Sequence, residues 1–257
     1  MSANGRPILA DVVDEGRRLM ELFQAEHMSV RLLGGLGVRM IAADAFHPAF
    51  AREIRDIDLA VRTKDARRLA QSLTDQGYAP NKTFNAMHGA RRLLFYDEPN
   101  SRQLDVFVGS FEMCHTLPIG ERLEVVPITL PAADLLMTKL QIVKLNAKDR
   151  SDIYALLLAL DVADSDRGAI NRDFIARLCA RDWGLYRTSQ INIGQLREDV
   201  GDAPVGPEEQ RLIEQRLSVL ERAIENEPKG SKWRLRARVG DKVRWYEDPE
   251  EVERGGY

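Results

Sequence analysis

Three acidic residues and a glycine pair are the residues of this chain whose spacing best suits chemistry on phosphate groups. Asp56 and Asp58 lie two positions apart in DIDLAVR, Asp105 lies in QLDVFVG, and Gly34-Gly35 follow the apolar run VRLL. Side chains two apart in a β-strand point to the same face, so Asp56 and Asp58 present neighbouring carboxylates. Such a pair repels itself unless a cation lies between its members, and its oxygens suit Mg²⁺ or Mn²⁺.

The third acid and the glycines extend this site. Asp105 begins another predicted strand. If this strand lies next to the DID strand in the sheet, the Asp105 side chain points to the same place. Three carboxylates on neighbouring strands can hold two metal ions about 3.5–4 Å apart for in-line phosphoryl displacement. A strand that ends in Gly-Gly before a helix lets backbone amides approach an anion. We therefore expect a triphosphate across Gly34-Gly35, with its metal on Asp56 and Asp58.

Periodicity predicts the elements that position these residues. Period-2 alternation predicts a strand over 56–62, and short apolar runs predict further strands over 30–33, 91–96, 103–108 and 123–128. Helical spacing covers 8–26, 36–44 and 64–77, and then 131–146, 149–162, 171–181 and 207–226. The pattern predicts an α/β fold: a mixed-sheet core with flanking helices over 1–130, and a helical C-terminal module over 131–228.

A dinucleotide-binding loop is the competing interpretation of the glycines. Gly35-Leu36-Gly37 imitates the start of GxGxxG, and an acid follows about 20 residues later. Met40, however, stands where the third Gly or Ala allows close packing of helix on strand. In addition, Asp56 and Asp58 open their strand, whereas the acid of a dinucleotide fold closes it.

With these residues in place, the sequence resembles a known superfamily. RLLGGLGVRM, RDIDLAV and LDVFV together resemble the nucleotidyltransferases built on the DNA-polymerase-β-like minimal fold, over residues 28–110. The next stretch, TLPAADLLMTKLQIVKLNAKDRSDIYALLLAL, is similar to the helical region of AbiEii-like abortive-infection toxin nucleotidyltransferases. The sequence departs from the family pattern in two ways. Ile54 stands where many relatives have Thr or Ser, and the interval from Gly35 to Asp56 is longer than in the most compact members.

The resemblance implies transfer of a nucleoside monophosphate from a triphosphate such as ATP to a hydroxyl acceptor, with pyrophosphate leaving. It implies that Gly34 and Gly35 contact the triphosphate, and that Asp56 and Asp58 bind Mg²⁺ or Mn²⁺. Asp105 would complete a second metal position and help to deprotonate the acceptor.

The toxin-like part of the resemblance adds residues behind the core. It implies Lys139 or Lys144 as a phosphate contact, with Asp149 and Asp152 as partners of these lysines or as members of the site. Two plainer interpretations remain open. The lysines form the polar side of an amphipathic helix pair, and Asp149 is a helix N-cap in KDRSDI.

Composition narrows the class of protein. The 257 residues carry 37 basic and 40 acidic side chains, a net charge of −3, so the whole chain is not a polycation that coats nucleic acid. Cys114 and Cys179 form no CxxC pair, and neither a secretory signal nor a membrane-spanning apolar run is present. We expect a cytoplasmic protein with no membrane contact. The histidines show no metal-ligand spacing.

Several functional alternatives remain open from the sequence. The acceptor is RNA, a protein or a small molecule, because the three carboxylates act on phosphate and serve each equally. The same fold would also suit a catalytically silent nucleotide-binding or regulatory protein, or the toxin of a toxin–antitoxin pair held by an antitoxin.

The last segment, 229–257, is basic and aromatic. In WRLRARVGDKVRWYEDP, arginines alternate beside Trp233 and Trp245, around Gly240-Asp241. The pattern predicts a hairpin or an arm. Its surface would contact a nucleic-acid backbone and stack bases, or would form an edge hairpin kept soluble by charge.

Overall fold

A five-stranded mixed sheet forms the centre of the N-terminal half. The computed structural model describes residues 7–248. The strand order is β1-β2-β5-β4-β3; β2 and β5 are parallel, and the other neighbours are antiparallel. The strands are β1 (Val30–Leu33), β2 (Asp56–Val61), β3 (Ala79–Pro80), β4 (Arg92–Asp97) and β5 (Arg102–Val108). This arrangement confirms the predicted α/β fold class.

One face of the sheet packs on α1 (Val12–Ala25) and α3 (Ala66–Asp75), and Leu36 of α2 (Gly34–Ala42) belongs to the same buried cluster. The fourth helix of this half, α4 (Lys82–His88), has no buried residue. Ile57 and Leu59 of β2 are fully buried in one cluster with Phe23 of α1 and Leu69 of α3. Because side chains alternate along a strand, this burial leaves Asp56 and Asp58 on the opposite face.

The opposite face packs on the helical C-terminal part. Its helices are α5 (Ala132–Leu140), α6 (Ala147–Ala159), α7 (Arg172–Arg181), α8 (Trp183–Asp199), α9 (Pro207–Asn226) and α10 (Ser231–Val239). Ala60 of β2 and Phe107 of β5 belong to the same buried cluster as Leu136 and Leu156. Two small strand pairs complete the fold: β6 (Phe111–Glu112) with β7 (Thr116–Leu117), and β8 (Asp161–Ala163) with β9 (Ala169–Asn171). The domain boundary near residue 130 stays a prediction.

The structure corrects the strand predicted over 123–128. These residues form turns, and the chain first meets the sheet at Thr129, in a single parallel bridge to Leu32. The Leu32 amide donates to the carbonyl of Ile128, and the Leu130 amide donates to that of Leu32. The apolar residues of this stretch therefore cross the end of the sheet without extending it.

The hairpin predicted for the C-terminal segment is wrong over its described part. Residues 231–239 form α10, and Gly240, at φ 59°, ends it. The indole Nε1 of Trp233 donates to the carbonyl of Cys179 at 3.0 Å, and its ring packs edge-on against Tyr186. Trp233 is therefore used for packing on α7 and α8. Residues 249–257 lie outside the described part of the chain.

The described helices were compared with the length and apolar character that a membrane-spanning helix needs. Within residues 7–248, none has both the length and the apolar character needed to cross a bilayer.

Candidate active site

The three predicted acids lie side by side on the sheet face that the helical part covers. Asp58 of β2 is the register partner of Asp105 on β5, and Leu33 of β1 pairs with Asp58 from the other side. Asp56 precedes them by one pleat on the same face. The sheet thus places the DID carboxylates between the end of β1 and the third acid.

The glycine pair lies directly against this row, because α2 begins at Gly34 itself and not after the pair. Gly34 has φ +63°, and a Cβ atom there would lie 1.9 Å from Oδ2 of Asp58. Only glycine fits this backbone and this contact without strain. The residue that precedes the helix, Leu33, has no polar side-chain atom to cap it. The first amides of α2 thus point out beside Asp58, which is the arrangement that binds anions.

The pKa of Asp58 is raised by its surroundings. Burial, and then the neighbouring charge of Asp105, raise the pKa of Asp58 to about 7, while Lys139 acts in the opposite direction. A bound cation would favour the ionised form of this carboxylate.

Asp105 is held by two partners that the sequence did not predict. Arg92 Nε donates to Oδ1 at 2.7 Å, and Gln103 Nε2 donates to Oδ2 at 2.6 Å. Asp105 is buried, and Arg92 lies over the ring of Phe107. A role for Asp105 as metal ligand or proton acceptor therefore requires these side chains to share or release it.

Lys139 connects the helical part to the site. Its ammonium lies 2.9 Å from Asp149 and 3.0 Å from Asp152, both on α6, and its side chain is only 12% exposed. Burial lowers the pKa of Lys139, but the charges of Asp152 and Asp149 outweigh it and keep that pKa above the ordinary value.

One of the two plainer sequence-based interpretations is wrong, and the other stays a prediction. Lys139 of α5 is buried between Asp149 and Asp152 of α6, and an ion pair between two packed helices agrees with the interpretation of the lysines as the polar side of a helix pair. The N-cap of α6 is Asn146, whose side chain accepts from the amides of Lys148 and Asp149, so Asp149 is not the cap.

Lys144 lies elsewhere. It is exposed in the segment between α5 and α6, and after Arg244 its charge contributes to lowering the pKa of Asp248. The structure brings Lys139, and not Lys144, toward the carboxylates.

Arg52 is a site residue that sequence reasoning missed. It lies between α2 and β2 and forms a two-pronged ion pair with Asp152, with Nη2 2.9 Å from Oδ2 and Nε 3.2 Å from Oδ1. A Cβ on Gly35 would lie 2.4 Å from its Nη2 atom. Arg52 follows no periodic pattern, so its short distance in sequence from the DID motif was the one available signal.

The acids do not form a ready-made metal cage. Within residues 7–248, no three His, Cys, Asp or Glu side chains are grouped so that they could share one metal ion. Magnesium usually binds through one or two carboxylates together with substrate phosphates and water. The neighbouring oxygens of Asp56 and Asp58, beside an open helix N-terminus, fit that mode of binding.

A cavity of about 610 Å³ opens beside the first turn of α2. It borders Gly35, Arg52 and Asp152, and extends to Arg39, Phe46 and Ile54. Its volume suits a nucleotide-sized ligand.

Comparison with known proteins gives the same class. Residues 10–122 match the model of a family described as "Uncharacterised nucleotidyltransferase". This segment contains the glycine pair and all three acids and ends before Lys139. Residues 10–122, a little under half of the chain, are thus similar to a nucleotidyltransferase domain. The similarity to AbiEii-like toxins stays a prediction.

Solved structures were compared separately. A lincosamide antibiotic adenylyltransferase, LnuA, solved with lincomycin, is 20% identical with a TM-score of 0.40, covering 55% of this chain and 92% of its own. A STING-associated CdnE c-di-GMP synthase from Capnocytophaga granulosa is 11% identical with a TM-score of 0.28, covering 86% and 83%. None of the curated proteins compared with the chain matches it.

Proposed function

We propose that this protein transfers a nucleoside monophosphate from a nucleoside triphosphate to a hydroxyl acceptor in a metal-dependent reaction. The acceptor oxygen forms a bond to the α-phosphorus, and the bond from that phosphorus to the bridging oxygen of the β-phosphate breaks. The acceptor hydroxyl loses its proton, and pyrophosphate leaves with the bonding electron pair.

The observation that carries this proposal is the contact between Gly34 and Asp58. A Cβ on Gly34 would lie 1.9 Å from the Asp58 carboxylate, so the open amides of α2 and the carboxylate are immediate neighbours. A triphosphate on these amides has its charged oxygens next to the ligands that suit its metal ion. A helix N-terminus binds phosphate through oriented amides and the helix dipole.

The surrounding residues take distinct roles in this proposal. Asp56 and Asp58 would hold Mg²⁺ or Mn²⁺, which when bound neutralises charge on the phosphates. Lys139 supplies a buried positive charge on the same side. Asp105, once Arg92 shares it, accepts the proton of the acceptor hydroxyl, so the acceptor approaches from the β5 side.

The acceptor in this proposal is RNA, a protein or a small molecule. The second candidate function is that of a nucleotide-binding protein that does not turn over its nucleotide. One observation favours that candidate: both carboxylate oxygens of Asp105 are already engaged, by Arg92 and by Gln103. Pyrophosphate release with any of these acceptors distinguishes the enzyme from the silent protein.

Thermal unfolding with each ribonucleoside triphosphate and Mg²⁺ or Mn²⁺ tests the site without an identified acceptor. At a hundredfold excess over Kd, binding adds about 2.7 kcal/mol, which for this size raises the midpoint by roughly 5–11 °C. We expect Asp58→Asn to lose this shift. Asp75→Asn, an exposed acid at the end of α3, is the matched control and keeps it. A metal-dependent shift that survives in Asp58→Asn contradicts the proposal.

The toxin role and the cytoplasmic location belong to the same proposal. Growth arrest on expression that Asp58→Ala relieves would identify a toxin, and co-purification of a neutralising protein would identify its antitoxin. Growth unaffected by the wild-type protein would argue against that role. Both cysteines are buried free thiols, as expected for a reducing compartment.

A further inference from the structure

Arg52 is positioned over the first turn of α2. A Cβ on Gly35 would lie 2.4 Å from Nη2 and 3.2 Å from Cζ of Arg52, so the guanidinium occupies the space that a side chain at residue 35 would need. The Arg52 side chain is 26% exposed and faces the 610 Å³ cavity. The guanidinium and the open amides of α2 are therefore next to each other at the border of this cavity.

Arg52 belongs to a group of two cations and two carboxylates. Asp152 binds Arg52 with both oxygens and also lies 3.0 Å from Lys139, while Asp149 lies 2.9 Å from Lys139. Asp152 is therefore shared between Arg52 and Lys139. The other terminal nitrogen, Nη1, donates to the backbone carbonyl of Glu53 at 3.4 Å, so one of its two N–H groups is left for a further anion.

The order of residues across the site gives a direction. Asp105 pairs with Asp58 in the sheet, Asp58 meets Gly34, and the next residue, Gly35, meets Arg52. A phosphate chain laid along this row has its reacting end at Asp58 and Asp105. Its other end lies at Arg52.

We propose that Arg52 binds the terminal phosphates of the triphosphate, the part that leaves as pyrophosphate, while Asp152 keeps its guanidinium in place. This inference rests on the proposed function and extends it by assigning the leaving-group end of the site. Arginine suits this role because its guanidinium has five N–H donors, so it can keep its two-pronged pair with Asp152 and still donate a charge-assisted hydrogen bond to phosphate.

The experiment measures binding of ligands that differ in the terminal phosphates. Calorimetry with Mg²⁺ compares inorganic pyrophosphate, the triphosphate that gives the wild type its largest thermal shift, and the corresponding monophosphate. We expect Arg52→Ala to weaken binding of triphosphate and pyrophosphate by about 10- to 100-fold, the range of a charge-assisted hydrogen bond, and that of the monophosphate by less than about twofold. Arg52→Lys should recover only part of the loss, because it lacks the fork.

Arg150→Ala is the matched control. Arg150 lies on α6, as Asp152 does, and forms an ion pair of 2.7 Å with Asp199 of α8. Its removal tests for the general effect of losing an arginine–aspartate pair, and we expect all three affinities to stay unchanged.

Two outcomes overturn the inference. Equal weakening of monophosphate and triphosphate in Arg52→Ala means that Arg52 only tethers its segment to α6. Unchanged affinities mean that it contacts no phosphate. Failure of the proposed function is seen separately: the wild type then binds no triphosphate, or binds it without dependence on Asp58.

Discussion

Gly34→Ala tests whether the close contact between α2 and the DID strand is required. The structure gives two independent costs for a methyl group at this position. A residue with a Cβ in the left-handed region costs about 1–2 kcal/mol. Overpacking against a fixed neighbour costs about 1–3 kcal/mol, and here Oδ2 of Asp58 would lie 1.9 Å from the new Cβ. The free energy of unfolding should therefore fall by about 2–5 kcal/mol.

The assay is thermal unfolding with and without triphosphate and Mg²⁺. For a chain of this size, the expected loss lowers the apo midpoint by roughly 4–20 °C. Asp58 must also move away from the sheet face to make room. We therefore expect the nucleotide-dependent shift of the midpoint to disappear in Gly34→Ala.

A double-mutant cycle separates the two costs. In an Asp58→Ala background the contacts with Oδ2 and Cγ are gone and only the contact with Cβ, at 3.2 Å, remains. Gly34→Ala should then cost little more than the backbone strain of about 1–2 kcal/mol. Gly194→Ala is the control, because a Cβ at Gly194, in the middle of α8, would have no described atom within 4 Å apart from its chain neighbours and the nearby backbone of its own helix. There, alanine should stabilise by about 0.5–1 kcal/mol. An equal loss in both backgrounds refutes the steric contact, and a retained nucleotide shift refutes its functional importance.

Three further predictions follow from buried charges. Lys139→Met should cost about 3–5 kcal/mol in urea unfolding, because Asp149 is left buried without its ammonium partner; a loss below 1 kcal/mol contradicts this. Arg102→Met should lower the free energy of unfolding by a similar amount. Asp97 is fully buried, and the change removes the arginine that lies 2.6 Å from it. Metal-dependent nucleotide affinity should increase from pH 6 to pH 8: the pKa of Asp58 is raised to about 7, so the ion competes with a proton below that pH. Titration calorimetry across this range checks the sign, and an affinity that falls as the pH rises would be inconsistent with metal binding at Asp58.

Elements with clear periodicity could be predicted from the sequence, and those with polar interiors could not. The sequence did not predict α8, whose buried face includes Thr188, Ser189 and Asn192, because a polar buried face removes the apolar period. It missed α4 as well, since none of the seven residues of this helix is buried. In α10, alternating arginines imitate a strand pattern, whereas the structure has a helix that packs on α8 through Trp233 and Tyr186.

The sequence by itself determined how residues that are close together in the chain are placed relative to one another. Asp56 and Asp58 share a face because a strand has a period of two, and Gly34 allows the turn into α2 because it lacks a Cβ. Tertiary structure alone decided the ion pairs: Asp152 meets Arg52 across 100 residues of chain, and Arg92 holds Asp105 across a strand pair. The physical reason is that backbone geometry fixes local side-chain direction, whereas the partner of a buried charge depends on how whole elements pack.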